Sequence, residues 1–298
     1  MPLKFCGHRW LENGPAAQRA LDILDDLKLY ISSVEKGKLN KPSSKSYLLV
    51  VASCRDIILP VKLNFFLSVI RILQPFLTLY QKDWPMLPFL SGDLRKMILN
   101  LLDTFKVLKN ESVTAMKEHC DFANFDFSNH KSSISKVSIG FVAGNMLKKL
   151  LAQKQVTDKA GLDLQHDCQK CIIAIVKKIA EKSPLSNQLV RCLASLDPRR
   201  MYHSSDKTYK KMAIILKELA RCRKVNDAEC DTILLEFLNS VGVSVEFRDF
   251  NQTTQRLDEF LKKHMCVHEY SKVWSVVKKL LLLSHGQATV ERGFSINR

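Results

Sequence analysis

Hydrophobic residues recur at three- and four-residue steps along most of this chain, which is the spacing of helices that bury one face. The clearest runs lie within residues 16–34, 94–108, 164–180, 209–219 and 270–284. The chain is also rich in leucine and lysine and poor in glycine, a composition that favours helix over a turn-rich sheet. The pattern therefore predicts a mainly α protein.

Three segments depart from this period. Residues 32–46 are polar and predict a loop that connects two helices. Residues 119–138 place phenylalanines among polar residues, which is compatible with a short strand or with an irregular packed loop, and we favour the loop. Residues 241–250 alternate in the manner of a strand or an exposed edge.

The most apolar segment, residues 63–80, has the length of a membrane span and a single charge at Arg71. An arginine at mid-span would cost at least ~2.5 kcal/mol in a bilayer. Polar residues also recur along one side of this segment. We therefore predict a buried helix with one solvent-exposed side and no association with a membrane. We expect Pro85 and Pro88 to end it and Ser91 to cap the next helix.

Charge and cysteine content narrow the possible partners. The 298 residues carry a formal charge of +16, which favours anionic partners such as nucleic acid or acidic proteins. Nine cysteines are scattered along a chain without a secretory segment, which indicates reduced thiols in the cytosol or nucleus. We expect no small-molecule substrate.

The strongest basic segment is residues 199–224, where cations surround an apolar face. The phosphate-contact candidates in it are Lys207, Lys210, Lys211, Lys217 and Arg221. A solvated helix face explains the same pattern, so both interpretations stay open.

Two cysteine and histidine groupings resemble metal or redox sites only superficially. Cys168 and Cys171 lie on the apolar face of a predicted helix without a second pair, which favours buried free thiols. His264, Cys266 and His268 could converge on zinc only in an extended segment, because residues two apart on a helix diverge. We predict no metal site and no cofactor in this chain.

The end of the chain carries its most informative motif. Four leucines, Leu280–Leu283, precede a Ser-His-Gly break, and Ala288-x-x-Glu291-Arg292-x-Phe294-Ser295 follows. This ending resembles the C-terminal dimerisation region of hAT-superfamily transposases. Three further segments are similar to that family in the same order: Arg9-Trp10-Leu11, the phenylalanine-rich residues 62–90 with their Gln-x-Asp-x-Pro tail, and the Leu-Asp-Pro-Arg element within residues 194–199.

The resemblance implies a helical insertion over residues 10–189 and, over residues 190–298, a dimerisation region that retains part of an RNase H-like core. It makes Glu291 the third acid of a metal site and places Trp10 and Arg292 near the DNA end. The family's two catalytic aspartates and its zinc finger would lie upstream, and one carboxylate cannot hold two metal ions. We therefore expect a truncated, non-catalytic chain; a divalent metal such as magnesium is implied only for an intact enzyme.

The function that follows is dimerisation, with possible DNA association, in the nucleus. We expect a homodimer or larger oligomer, or pairing with a full-length relative. The dimerisation candidates are Val277, Leu280, Leu281, Val290 and Phe294. Two alternatives are a fragment of an active transposase whose remaining acids lie upstream, and a basic helical nucleic-acid-binding protein.

Overall fold

The structure is a computed structural model that describes residues 13–118, 122, 125–240 and 245–285. Helices account for most of these residues, and no β-strand forms among them. Leu108 and Lys131 pair in an isolated antiparallel bridge. The prediction of a mainly α protein is confirmed.

The first part of the chain contains eight helices among the described residues, and five of the segments predicted to be helical lie largely within them. They are α1 (Asn13–Asp22), α2 (Leu24–Glu35), α3 (Lys45–Arg55), α4 (Leu59–Leu79), α5 (Leu87–Phe105), α6 (Asn110–Glu118), α7 (Phe141–Ala152) and α8 (Asp158–Lys182). The segment predicted as one helix, residues 16–34, is divided at Ile23, whose ψ of 1° lies outside the helical range.

The second part of the chain contains shorter helices. They are α9 (Gln188–Cys192), α10 (Pro198–His203), α11 (Ser205–Arg221), α12 (Cys230–Ser240), α13 (Val245–Arg248), α14 (Leu257–Met265) and α15 (Ser271–Leu281). Single 3₁₀ turns connect several elements, at Ile134–Lys136, Pro184–Ser186, Leu193–Leu196, Asp227–Glu229 and His268–Tyr270.

Two local predictions were wrong. Ser91 lies inside α5 and does not cap it, because the helix begins at Leu87 and Pro88 falls in the first turn, where a missing N–H costs no hydrogen bond. Residues 245–248 form a helical turn in place of an extended strand. That turn buries Phe247 and, three residues on, Phe250, whereas residues 241–244 lie outside the described part.

The described residues form two compact units. Unit 1 comprises residues 13–75, 99–118 and 125–178, and unit 2 comprises residues 76–98, 122, 179–240 and 245–285. The division into an insertion and a dimerisation region at residue 190 stays a prediction.

Helix α4 has one buried face. In unit 1 the ring of Phe65 packs edge-on against Phe105, with 5.5 Å between the ring centroids. Asn64 and Ser68 donate hydrogen bonds to carbonyls of their own helix, so these polar residues need no partner elsewhere. By length and composition α4 is the one helix in the described residues that could cross a membrane, and 33% of that stretch is buried.

The aromatic segment after α6 is an irregular packed loop where it is described, as predicted. The amide of the buried Gln169 on α8 donates to the carbonyls of Val107 and Ser132, at 3.1 and 3.0 Å. Gln165, one turn earlier, donates to the carbonyl of Val137. Because buried carbonyls need hydrogen-bond partners, these two glutamines fix the loop against α8.

The core of unit 2 forms around the fully buried segment 192–198. Helices α9, α10 and α11 pack on its 3₁₀ turn, and α12 packs on α11. Helix α15 packs on α12 and α14, and the Glu236 carboxylate of α12 accepts hydrogen bonds from the amides of Lys272 and Val273. A side chain from a neighbouring helix therefore caps the first turn of α15.

Asp197 lies next to the end of the buried segment and is the N-cap residue of α10. Its carboxylate accepts a hydrogen bond from the amide of Arg199 at 3.1 Å, and Pro198 occupies the first turn. Arg199 and Arg200 each form an ion pair with it, at 3.6 and 3.5 Å. Burial nevertheless raises the pKa of Asp197, and the two arginines only partly oppose that rise.

We predict that Gln169→Leu lowers the free energy of unfolding by about 1–3 kcal/mol, because the partly buried carbonyl of Ser132 and the buried carbonyl of Val107 lose the donor that Gln169 supplies. Urea denaturation measures the loss. Gln165→Leu should cost less, since Gln165 is only half-buried and water can replace it. Equal losses in both variants would contradict this account.

We predict that Asp197→Asn preserves the stability at neutral pH, because asparagine keeps the cap and removes a buried charge. Asp197→Ala should cost about 1 kcal/mol through loss of the cap. Since the folded-state pKa of Asp197 is raised, its contribution to stability declines as pH rises from 3.8 through that raised value. Thermal melts across this pH range should show the decline in stability in the wild type and not in Asp197→Asn. A loss of stability at neutral pH in Asp197→Asn as large as that in Asp197→Ala would contradict the prediction.

Candidate functional site

Helix α11 has one buried face and one basic face. Thr208, Met212, Ile215 and Leu216 are buried against the rest of unit 2. The opposite side carries the cations predicted as phosphate contacts, within about a third of the helix circumference. This basic face consists of Lys207, Lys210, Lys211, Lys217 and Arg221.

The five cations differ in how exposed they are and in whether a carboxylate already neutralises their charge. Lys207, Lys210 and Lys217 are exposed and form no ion pair with any described residue. Arg221 is held by the carboxylate of Glu218, which neutralises part of its charge. Lys211 is half-buried, and burial together with the nearby Arg200 lowers its pKa. The amino-terminal half of α11 therefore holds the most available positive charge.

The stability of α11 does not explain why lysines lie in its first two turns. Lysines are favourable near the carboxyl end of a helix, yet Lys207 and Lys210 lie in its first two turns. The N-cap residue Ser204 makes no side-chain hydrogen bond to the first turn. Free amides and unpaired lysines at a helix amino terminus are a suitable environment for an anion such as phosphate.

Arg199 and Arg200 add to the positive charge at this end. They begin α10, and Asp197 balances part of their charge through the two ion pairs described above. The guanidinium of Arg200 also lies close to Gly92 on α5, where an added Cβ would be 2.9 Å from it. Glycine at position 92 therefore leaves room for this arginine.

A groove of about 410 Å³ runs between α11 and α12. Lys217, Arg221 and Asp227 lie on its rim, and Leu216 and Leu234 form part of its lining. The groove has mixed charges, because the carboxylate of Asp227 lies with the cations of Lys217 and Arg221. The basic face can bind phosphates as a set of point charges, which gives affinity without base recognition.

The C-terminal leucines divide between core and surface. Val277 and Leu280 are buried in unit 2, so these two predicted dimerisation residues stabilise the chain's own fold and are not exposed to a second copy. Leu281 is half-buried, whereas Leu282 and Leu283 are 84% and 43% exposed. The surface available for association therefore begins at Leu281.

The chain beyond these leucines returns to the end of α4. Nε2 of His285 donates to the carbonyl of Tyr80 at 3.0 Å, and the two rings meet edge-on. The Tyr80 hydroxyl donates to Asp93, which also accepts from Gln252, each at 2.9 Å. Burial and the charge of Asp93 raise the pKa of Tyr80. This network holds the exposed leucines beside a fixed point of unit 2.

The other candidates stand as follows. Trp10, Val290, Glu291, Arg292 and Phe294 lie outside the described residues. Within the described part, no group of three His, Cys, Asp or Glu side chains is placed to hold a metal ion.

The two helical cysteines are not equivalent, although both were predicted to be buried. Cys168 is buried, and burial raises its pKa to about 12. Cys171 is exposed on the same helix. His264 packs against the rings of Phe247 and Phe260 at the end of α14, whereas Cys266 is exposed beyond it.

Sequence reasoning missed the roles of Arg200, Asp93, Gln252 and His285. Arg200 adjoins the Leu-Asp-Pro-Arg element, and that motif was the available signal for it. The others act through contacts between distant segments, for which the pattern carried no signal.

Of the four segments that resemble the hAT family, residues 194–199 and 280–285 lie in unit 2, whereas the segment 62–90 is divided between unit 1 (62–75) and unit 2 (76–90). The first segment, Arg9–Leu11, lies outside the described residues. Comparison of the chain with protein-family models, with curated proteins and with solved structures found no match.

Proposed function

We propose that this chain is a non-catalytic, transposase-derived protein that associates in the nucleus with a second copy of itself or with a full-length relative. The observation that carries the proposal is the exposure of Leu282 and Leu283 directly after a helix whose inner face is already filled. Adjacent exposed leucines are stabilised by burial against a partner.

The hAT resemblance supports the same surface, since it assigns dimerisation to the segment that these leucines begin. An RNase H-like origin of residues 190–298 and a helical insertion before them belong to the proposal. A metal-dependent reaction is not part of the proposal, because Glu291 alone would supply too few oxygen ligands for two metal ions.

The attachment of His285 strengthens this proposal. Its hydrogen bond to Tyr80 and the bonds of Asp93 limit the freedom of the chain around the leucines. A surface held in one conformation loses less entropy on binding than a free tail. Leu282 and Leu283 thus form a preorganised contact.

We predict that the full chain has at least a dimeric mass by light scattering at micromolar concentration. The double variant Leu282→Asp, Leu283→Asp should shift this mass toward the monomer, because each carboxylate would lose its water shell in the interface. Both side chains are exposed, so the fold should be retained.

The matched control is Leu235→Asp with Leu238→Asp on α12, where two leucines are also exposed. This control should leave the mass unchanged. A strictly monomeric wild type, or equal effects of the two double variants, would argue against the proposal.

The second candidate function is binding of nucleic acid by the basic face of α11. It is favoured by Lys207 and Lys210 at the amino end of the helix, which form no ion pair with a described residue, and by Lys211, whose charge lies near those of Arg200 and Lys207. Such contacts would be made to phosphates, and their strength would depend on salt.

We predict that the wild-type chain binds duplex DNA with an affinity that falls steeply as salt rises. The variant Lys207→Glu, Lys210→Glu should weaken binding about tenfold or more and reduce the slope of log affinity against log salt by about two. Fluorescence anisotropy of a labelled duplex, measured over a salt series, tests both.

The control is Lys148→Glu with Lys149→Glu on α7, which makes the same change of net charge on exposed lysines of unit 1. If the two double variants weaken binding equally, only the net charge matters, and the basic face has no particular role.

A further inference from the structure

Three cations of unit 2 lie where α10 leads into α11. Lys207 and Lys211 are four residues apart on α11, so they share one face, with about 5–6 Å between their Cβ atoms. Arg200 lies in α10, and its carbonyl accepts a hydrogen bond from the amide of Ser204 at 2.9 Å. The Ser204 carbonyl accepts hydrogen bonds from the amide and the hydroxyl of Thr208, at 3.0 and 2.6 Å. These bonds connect the two helices and hold Arg200 one turn before α11.

Arg200 and Lys211 both lie beside the buried segment 192–198. Arg200 forms its ion pair with Asp197, and Lys211 lies near Cys192. Burial lowers the pKa of Lys211, and the nearby charges of Arg200 and Lys207 lower it further. Arg200, Lys207 and Lys211 therefore form one group of positive charges, here named the cation cluster.

Nearby acidic groups leave the cation cluster positively charged. The carboxylate of Asp197 is shared between two arginines, at 3.6 and 3.5 Å, and neither lysine of the cluster forms an ion pair with a described residue. Asp206 lies about 140° around the helix from Lys211 and about 40° from Lys210, so its charge acts mainly on Lys210. The thiol of Cys192 carries no charge at neutral pH, because burial raises its pKa.

The cation cluster is accessible and is held in place. The side chain of Arg200 is 46% exposed, Lys207 is exposed, and Lys211 is half-buried. Nε of Arg200 lies 3.5 Å from Asp197, and its Nη2 lies 2.9 Å from where a Cβ at Gly92 would be. A guanidinium fixed in this way loses little entropy when it binds an anion. The half-buried ammonium of Lys211 attracts an anion strongly, because water screens its charge less.

The cation cluster suits a phosphate monoester better than a phosphodiester. A monoester carries about −1.5 to −2 charges at neutral pH and has three free oxygens. A diester within a nucleic-acid strand carries one charge and has two free oxygens. Three cationic groups therefore match the oxygens of a terminal phosphate, and the guanidinium of Arg200 can donate to two of them at once.

Lys210 favours a nucleic acid as the carrier of this phosphate. It lies beside the cation cluster on α11, is exposed and forms no ion pair with a described residue. It could contact a second phosphate, and every nucleotide of a strand supplies one. A single phosphorylated side chain of a protein would leave Lys210 without an anion.

We propose that Arg200, Lys207 and Lys211 bind the terminal phosphate of a nucleic-acid strand, while Lys210 contacts the phosphate next to it. This inference rests on the second candidate function, the binding of nucleic acid by the basic face of α11. It adds Arg200 to that face and a preference for phosphorylated ends over unphosphorylated ones.

Fluorescence anisotropy with the full chain tests the proposal. The probes are short blunt duplexes of one sequence, labelled within the strand, whose ends carry only hydroxyls, a 5′ phosphate, a 3′ phosphate, or the methyl ester of either phosphate. The methyl ester keeps the terminal position and one negative charge but removes a free oxygen. We expect a phosphorylated duplex to bind about tenfold more tightly than its methyl ester and the hydroxyl duplex, the effect of one charge-assisted hydrogen bond.

Single variants locate the preference. Lys211→Gln and, separately, Arg200→Gln should reduce it from about tenfold to about twofold or less. The matched control is Lys210→Gln, which removes the same charge from the adjacent position and should weaken every duplex by the same factor. Because Lys207 is exposed, Lys207→Gln should reduce the preference and retain the fold, which circular dichroism melts check.

Equal binding of all the duplexes would overturn the proposal. Nucleic-acid binding by the basic face would still stand if the variant Lys207→Glu, Lys210→Glu weakened them all, whereas absence of DNA binding would overturn both. An equal loss of preference in Lys210→Gln and Lys211→Gln would also contradict the proposal, because only net charge would then matter. A phosphoserine peptide that bound more tightly than the phosphorylated duplexes, with the same dependence on Lys211, would assign the cation cluster to a phosphorylated protein instead.

Discussion

Burial of the short segment from Cys192 to Pro198 is the constraint on which unit 2 depends. Seven consecutive buried residues must place their backbone groups in hydrogen bonds, and they do so through a 3₁₀ turn and the cap at Asp197. The cap sets the direction of α10, and α11 packs against the turn. The position of Arg199, Arg200 and Lys207 therefore follows from how this segment is buried.

A second set of contacts acts on the C-terminal leucines. Asp93 accepts hydrogen bonds from Tyr80 and Gln252, and the Tyr80 carbonyl accepts one from His285. These residues come from distant parts of the chain and are half-buried, so the hydrogen bonds among them replace part of the water that each polar group loses. The proposed association surface is thus held by polar contacts, although the surface itself is apolar.

The surfaces proposed to bind partners differ in chemistry. The basic face of α11 has lysines around a single exposed isoleucine, Ile214, and suits phosphates. Leu282 and Leu283 form an apolar contact. Each surface can be tested separately because they lie on different elements.

Much of this architecture could be predicted from the amino-acid sequence alone. The spacing of hydrophobic residues indicated most of the helices, because side chains three and four residues apart share one face of a helix. The basic face of α11 was also predictable, since it depends only on spacing within one helix. Asp197 and Pro198 likewise carry a local capping signal.

Only the tertiary structure decided which side of each element faces the core. Spacing alone does not tell Cys168, which is buried, from Cys171, which is exposed, since both fall on the apolar side of the same predicted helix. The turn at residues 245–248 and the place of His285 depend on contacts with residues far away in the chain. Periodicity gives the angles between side chains on one helix, whereas burial is set by the elements that pack against it.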